Sequence, residues 1–154
     1  MKFDHHIHSV EQALSHWNIP QDSITLAEPI RYLLSLGGKR IRPVLTLLGH
    51  ELFSGNPEEV LSQALAVEVF HNFTLMHDDI MDNAPMRRGK QTVHEKWNIN
   101  AAVLSGDGMM ILSYDLLLKN QEGKFIELFQ CFNQTAWEVC VGQQMDMDFE
   151  KRED

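Results

Sequence analysis

Apolar residues recur along this chain at intervals of three and four, the period of helices that share a core. The spacing predicts helices over Ser9–Trp17, Ala27–Leu36, Arg42–Phe53, Pro57–Asp82, Ile99–Lys119 and Lys124–Asp148. No segment alternates with the period of two that a half-buried strand requires, and no internal repeat is visible. The breaks between helices carry their own signals. Gly37-Gly38 closes the second helix, Pro43 suits the first turn of the third, SGNP (Ser54 to Pro57) precedes the fourth, and Pro85 with Gly89 interrupts the chain after it. The predicted fold is all-α, a helical bundle.

With 154 residues, 44% of them hydrophobic, the chain is long enough for one domain with a real core. Residues 1–8, which include His5, His6 and His8, are expected to be disordered, with a metal-binding HHIH as the alternative. No stretch approaches the roughly 20 apolar residues of a membrane span, and no apolar run with a cleavage site marks a signal peptide. Thirteen basic residues against 22 acidic ones give a net charge of -9, which opposes general binding to nucleic acid or anionic membranes. Cys131 and Cys140 fit no metal or redox spacing, so both read as free thiols and the compartment as the cytoplasm.

Against that acidic background the charge distribution is informative. Asp78, Asp79 and Asp82 form a DDIMD run at the end of an apolar stretch that includes Val67, Val69, Phe70, Phe73, Leu75 and Met76. On a helix Asp78 and Asp82 share a face one turn apart, while Asp79 is rotated by about 100°. Two such carboxylates suit a shared divalent ion, because magnesium takes one or two carboxylates and completes its shell with water and phosphate oxygens. Without a cation or partner, carboxylates at the end of a buried helix repel each other. His71 falls on the same stripe as Leu75, Asp78 and Asp82. Basic clusters lie on either side in sequence, Lys39, Arg40 and Arg42 in GGKRIRP, and Arg87, Arg88 and Lys90 in MRRGK. Carboxylates between two cationic clusters are what a metal-bridged diphosphate requires.

The segments EPIRYLLSLGGKRIRP, EVFHNFTLMHDDIMDNAPMRRGKQTVHEKW, AAVLSGDGMMILSYDLL and VGQQMDMDFE resemble, in order and spacing, the trans-isoprenyl diphosphate synthases (polyprenyl synthetases), from about Glu28 to Glu150. The resemblance implies a helical bundle of the isoprenoid synthase type. It implies a prenyltransferase that condenses isopentenyl diphosphate with an allylic diphosphate, with Mg2+ held by Asp78 and Asp82. Lys39, Arg42, His71 and Arg88 would hold the diphosphate of isopentenyl diphosphate, and Arg87 would face the allylic one. Asp78, Asp82, Lys39 and Arg87 are the implied catalytic set. Arginine offers planar bidentate contacts and lysine a compact point charge, so the residue types suit the task.

Product length in this family is set by bulk beneath the acidic motif, where Phe73 and Thr74 stand five and four residues before Asp78. A phenylalanine beside a threonine reads as a partial floor and implies a short product, farnesyl or geranylgeranyl diphosphate. Met109 and Met110 are secondary lining candidates, and Gln143 and Asp146 match family positions near the cavity. The sequence reads as the amino-terminal portion of one isoprenoid synthase domain, since it stops at KRED without the family's lysine-threonine pair or second aspartate-rich motif. The DMD at Asp146 to Asp148 is not that motif. Homodimers are the family's common form. Two other readings stand beside this one: a non-catalytic subunit that binds a prenyl diphosphate or docks a partner, and a metal phosphohydrolase using His50, His77, Asp78 and Asp107.

Overall fold

The computed structural model describes residues 2–53, 55–119 and 123–150. The chain forms two compact units, Met1–Lys119 and Asn120–Asp154. In the first unit the order is α1 (Lys2–His16), α2 (Ile24–Ser35), α3 (Ile41–Leu52), a 3-10 turn (Pro57–Val60), α4 (Leu61–Met81), β1 (Met86–Arg87), β2 (Lys90–Gln91), α5 (Val93–Lys96) and α6 (Ile99–Leu117). The second unit contains α7 (Phe125–Phe149). The all-α expectation holds, and five of the six predicted helices have ends within about four residues of those observed.

Three local expectations are corrected. The first helix starts at Lys2 rather than Ser9, so the segment expected to be disordered is helical from there. His6 and Val10 are buried in that helix, and His6 Nε2 lies 3.4 Å from a Glu51 carboxylate oxygen on α3, which gives the early turns a surface to pack on. A two-stranded antiparallel hairpin, with Met86 opposite Gln91 and Arg87 opposite Lys90, occupies a stretch in which no strand was predicted. Its central residues Arg88 and Gly89 both have positive φ, 52° and 77°, the primed turn that matches strand twist; a pair of two-residue strands is too short to show alternation. The helix predicted from Ala27 starts at Ile24 and carries Pro29 in its interior. The expected SGNP break includes Ser54, and KRED covers 151–154; both of these positions lie outside the described residues.

Helix α4 is the axis of the first unit and packs chiefly on α6 and α3. Its buried set combines small residues (Ala64, Ala66) with Val69, Phe70 and Met76, against Ala102, Ser105 and Met109 of α6. Small side chains on both helices allow the backbones to come close. The ends are pinned by polar groups. The Gln63 side-chain amide donates to the carbonyls of Leu117 (2.9 Å) and Lys119 (2.7 Å) and so satisfies orphan acceptors at the end of α6. At the other end of α6 the Asn98 side chain accepts from the Ala101 amide at 2.8 Å.

Near the acidic end of α4, the His77 ring sits over Gly106 of α6, so closely that a Cβ on Gly106 would overlap it. Nε2 of His77 lies 3.2 Å from the Val103 carbonyl and 3.8 Å from an Asp107 carboxylate oxygen. Both are acceptors, which selects the tautomer with the proton on Nε2. Gly106→Ala is expected to lower stability by about 1–3 kcal/mol, with most of the loss absent in a His77→Ala background. Urea midpoints of the four proteins in this cycle measure the coupling, and purely additive losses would contradict the contact.

Candidate functional site

The loop that joins α2 to α3 and the first turn of α3 divide their charged residues between two destinations. Lys39 and Arg42 are exposed, whereas Arg40 points inward with its side chain fully buried. Arg40 caps α3 in the left-handed region, at φ 49° and ψ 29°. Its guanidinium donates to Glu11 of α1 at 2.7 Å, to the Leu34 carbonyl at 3.0 Å and, in a short contact, to Glu68 of α4. Burial disfavours its charge, but the hydrogen bonds to the two carboxylates outweigh that cost and raise its pKa. The sequence placed Arg40 in a basic cluster without distinguishing its role, because hydrophobic periodicity cannot tell an inward arginine from an outward one.

Lys39, Arg42, His71 and Arg88 come together around one pocket of about 440 Å³, bounded also by Gly38, Arg40, Ile41 and Glu68. They arrive from three places in the fold: the α2–α3 loop and the first turn of α3, the middle of α4, and the tip of the hairpin. An Arg42 guanidinium nitrogen lies 3.3 Å from His71 Nε2. The guanidinium of Arg88 passes close to Gly38: a Cβ there would stand 3.0 Å from it, and the arginine would have to give by a few tenths of an ångström. Arg88 itself holds a left-handed backbone, as does Arg40; positive φ at non-glycine residues of this kind concentrates where a site imposes it. Burial, then the charge of Arg42, push the His71 pKa down, so its imidazole is neutral at pH 7. Partial burial and the neighbouring Arg40 charge lower the pKa of Arg88, which stays cationic.

The acidic run divides in the same way. Asp78 is half-buried and Asp82 exposed, and the Asp82 amide continues the helical register by bonding the Asp78 carbonyl at 2.9 Å. Asp79, rotated off their face, is buried and receives Arg87 through Nε at 2.9 Å to each carboxylate oxygen and through a terminal nitrogen at 2.8 Å. The same Arg87 reaches Asp78 at 3.7 Å. Arg87 therefore fastens the hairpin to the end of α4 while its neighbour Arg88 lines the pocket. The pairing of Asp79 with Arg87 had no sequence signal beyond the rotation that sets Asp79 apart from Asp78 and Asp82.

Phe73 and Thr74 lie on the half-buried side of α4 before the acidic turn. The Phe73 ring meets His77 edge-on at 4.8 Å and Phe70 at 5.7 Å, and the Thr74 hydroxyl donates to the His71 carbonyl at 2.8 Å. Met109 is buried. Gln143 and Asp146 lie three residues apart on α7 in the second unit, which also carries the two exposed free thiols, Cys131 and Cys140. Among the described residues no three His, Cys, Asp or Glu side chains gather as a metal-enclosing cluster. That argues against the phosphohydrolase arrangement and against an HHIH metal site; His50 pairs instead with Glu59 at 3.3 Å.

The polyprenyl synthetase family model matches residues 23–154. The chain belongs to the polyprenyl synthetase family. It is 44% identical over 124 residues to the geranylgeranyl diphosphate synthase of Methanosarcina mazei, covering 79% of this chain and 38% of that protein. To the geranylgeranyl diphosphate synthase of Saccharolobus solfataricus it is 42% identical over 134 residues, covering 84% of this chain and 40% of that protein. Among solved structures, the geranylgeranyl pyrophosphate synthetase of Geoglobus acetivorans superposes with a TM-score of 0.90 at 34% identity, over 100% of this chain and 51% of that one. The chain thus spans about two-fifths of the length of these curated relatives. Among the described residues no helix is long and apolar enough to cross a membrane.

The lowered pKa of His71 sets a pH dependence of stability. Between its ordinary value of about 6.5 and its lower folded value, the unfolded chain binds the proton and the folded chain does not. The contribution of neutral His71 is complete above about pH 6.5 and is lost as the pH falls through the folded value. Thermal melts from pH 7.5 to 5 are expected to fall less steeply for His71→Asn than for the unmodified chain; parallel profiles would contradict this.

Proposed function

We propose that the protein carrying this sequence is a trans-prenyltransferase, which condenses isopentenyl diphosphate with an allylic diphosphate to give farnesyl or geranylgeranyl diphosphate. The observation that carries this reading is the convergence of Lys39, Arg42, His71 and Arg88 on one pocket, with Arg87 joining the adjacent hairpin residue to the acidic end of α4. Both units are proposed to belong to one isoprenoid synthase domain. The row of exposed apolar residues Leu104 and Ile111 on α6, with Leu118 just past its end, supports a homodimer. The free thiols Cys131 and Cys140 support a cytoplasmic location.

In this reading Lys39, Arg42, His71 and Arg88 bind the diphosphate of isopentenyl diphosphate. A neutral His71 can donate one ring hydrogen to a phosphate oxygen, and a bound anion would favour its protonation. Asp78 and Asp82 would hold Mg2+; two accessible carboxylates fit an ion that fills its remaining positions with water and phosphate oxygens. The ion would supply positive charge to the departing diphosphate. Arg87, bound to Asp79 and 3.7 Å from Asp78, would add a fixed cation to the same group as the allylic carbon–oxygen bond breaks. The allylic cation then adds to the double bond of isopentenyl diphosphate, a carbon–carbon bond forms and a proton leaves. No side-chain nucleophile is required.

Phe73, braced by His77 and Phe70, is proposed to floor the path of the growing chain, with Thr74 beside it. The second reading, a subunit that binds a prenyl diphosphate without turnover, draws on the small protein donor set, which supplies two carboxylates and no third ligand among the described residues. Incubation with isopentenyl diphosphate, Mg2+ and each of dimethylallyl, geranyl and farnesyl diphosphate, followed by mass spectrometry, separates the two. Elongated product that disappears in Asp78→Asn supports the transferase, binding without product supports the subunit, and neither binding nor product contradicts both. In an active form Phe73→Ala is expected to lengthen the product, and an unchanged distribution would contradict the floor.

A further inference from the structure

Glu68 is a problem for an anion pocket. It is buried on α4, it borders the space between Lys39, Arg42, His71 and Arg88, and its carboxylate would repel a diphosphate there. The structure places one cation directly against it, the guanidinium of Arg40. Asn72, also buried, donates to the same Glu68 oxygen at 3.1 Å and to the Glu68 carbonyl at 2.8 Å, so the carboxylate is held in one orientation. On its other side Arg40 is tied to Glu11, whose side chain is 43% exposed and therefore screened by solvent. Glu11 lies on α1, before the first residue matched by the family model, residue 23.

We propose that Arg40 is a positioning residue for the anion pocket, cancelling the Glu68 charge at its border and anchoring the loop that turns Lys39 and Arg42 toward it. This rests on the reading of that pocket as a diphosphate site. Arg40 lies at the pocket wall with its side chain fully buried, so it acts through Glu68 and the loop. Its backbone has φ 49°, an unfavourable conformation for an arginine, and the three hydrogen-bonded anchors on α1, α2 and α4 hold it there. With Arg40 turned inward, the residues before and after it in the loop face outward. The influence of the pair extends across the pocket: Glu68 favours the protonated form of His71 and the charge on Arg88, and Arg40 opposes the latter. Neutralising Glu68 alone leaves a buried cation beside the pocket. Removing Arg40 alone leaves a buried anion there.

The charges therefore predict opposite effects on anion affinity from two substitutions that each break the same ion pair. The test is calorimetric titration with inorganic pyrophosphate in the absence of metal, on the unmodified chain, Glu68→Gln, Arg40→Met and the double variant, with thermal midpoints measured alongside. Arg40→Met is expected to weaken binding about tenfold and Glu68→Gln to maintain or tighten it. The double variant should bind more tightly than Arg40→Met even where its midpoint is no higher. A role confined to stability would instead make affinity follow the midpoint. Should Arg40→Met fail to fold, the comparison of Glu68→Gln with the unmodified chain decides, and weakened binding there overturns the proposal. If the unmodified chain binds no pyrophosphate, the diphosphate reading of the pocket fails and takes this proposal with it. If it binds and neither substitution matters, only the role of Arg40 fails.

Discussion

Concentrating cations around one pocket costs electrostatic free energy, and the ion pairs of Arg40 and Arg87 bear on that cost. Lys39, Arg42 and Arg88 carry like charge into about 440 Å³ of shared space. Part of the repulsion is avoided by keeping His71 neutral through burial and the Arg42 charge. The other two arginines of the motifs are paired, Arg40 at the wall of the pocket with Glu11 and Glu68, and Arg87 with Asp79 and Asp78. Lys39, Arg42, His71 and Arg88 remain as donors that an anion would relieve. A diphosphate would meet an arrangement already paid for by folding, which is the condition for electrostatic preorganisation.

Packing makes that arrangement rigid. The acidic turn of α4 is located by His77 resting on Gly106, and the hairpin is located by Arg87 resting on Asp79. These two contacts lie on different faces of the same helical turn, so α6 and the hairpin together fix where Asp78 and Asp82 stand. Alpha-helical geometry then does the rest, because residues one turn apart share a face. The small residues of the α4–α6 contact have the same purpose, since they allow the two backbones to come close enough for the histidine to reach its acceptors on α6.

Much of this was legible in the sequence. The i and i+4 spacing of Asp78 and Asp82, and the rotation of Asp79 away from them, follow from helix geometry alone and are what the structure contains. The convergence of Lys39, Arg42, His71 and Arg88 was implied by resemblance and not by any period, because they come from a loop with the first turn of a helix, a helix middle and a turn that are distant in sequence. Which cations face the pocket was implied by the resemblance alone and not by the residue pattern. Arg40 and Arg42 look equivalent in GGKRIRP, and only the left-handed backbone at Arg40 sends the first inward and leaves the second outside. The hairpin was missed because two-residue strands carry no alternation, although the positive-φ demand at Arg88-Gly89 explains why a glycine follows the arginine. The early start of α1 was missed because its apolar contacts are few and include a histidine, His6.

In the proposed function the cationic pocket and the acidic turn are two separable elements serving one diphosphate-bearing reaction. Titration of the chain with inorganic pyrophosphate, first without metal and then with Mg2+, tests it most directly when repeated on Arg42→Ala/His71→Ala and on Asp78→Asn/Asp82→Asn. The account predicts that the first pair loses metal-free binding, and that the second keeps it but loses the increment brought by Mg2+. Metal-free binding that survives without Arg42 and His71, or an Mg2+ increment that survives without Asp78 and Asp82, would contradict it.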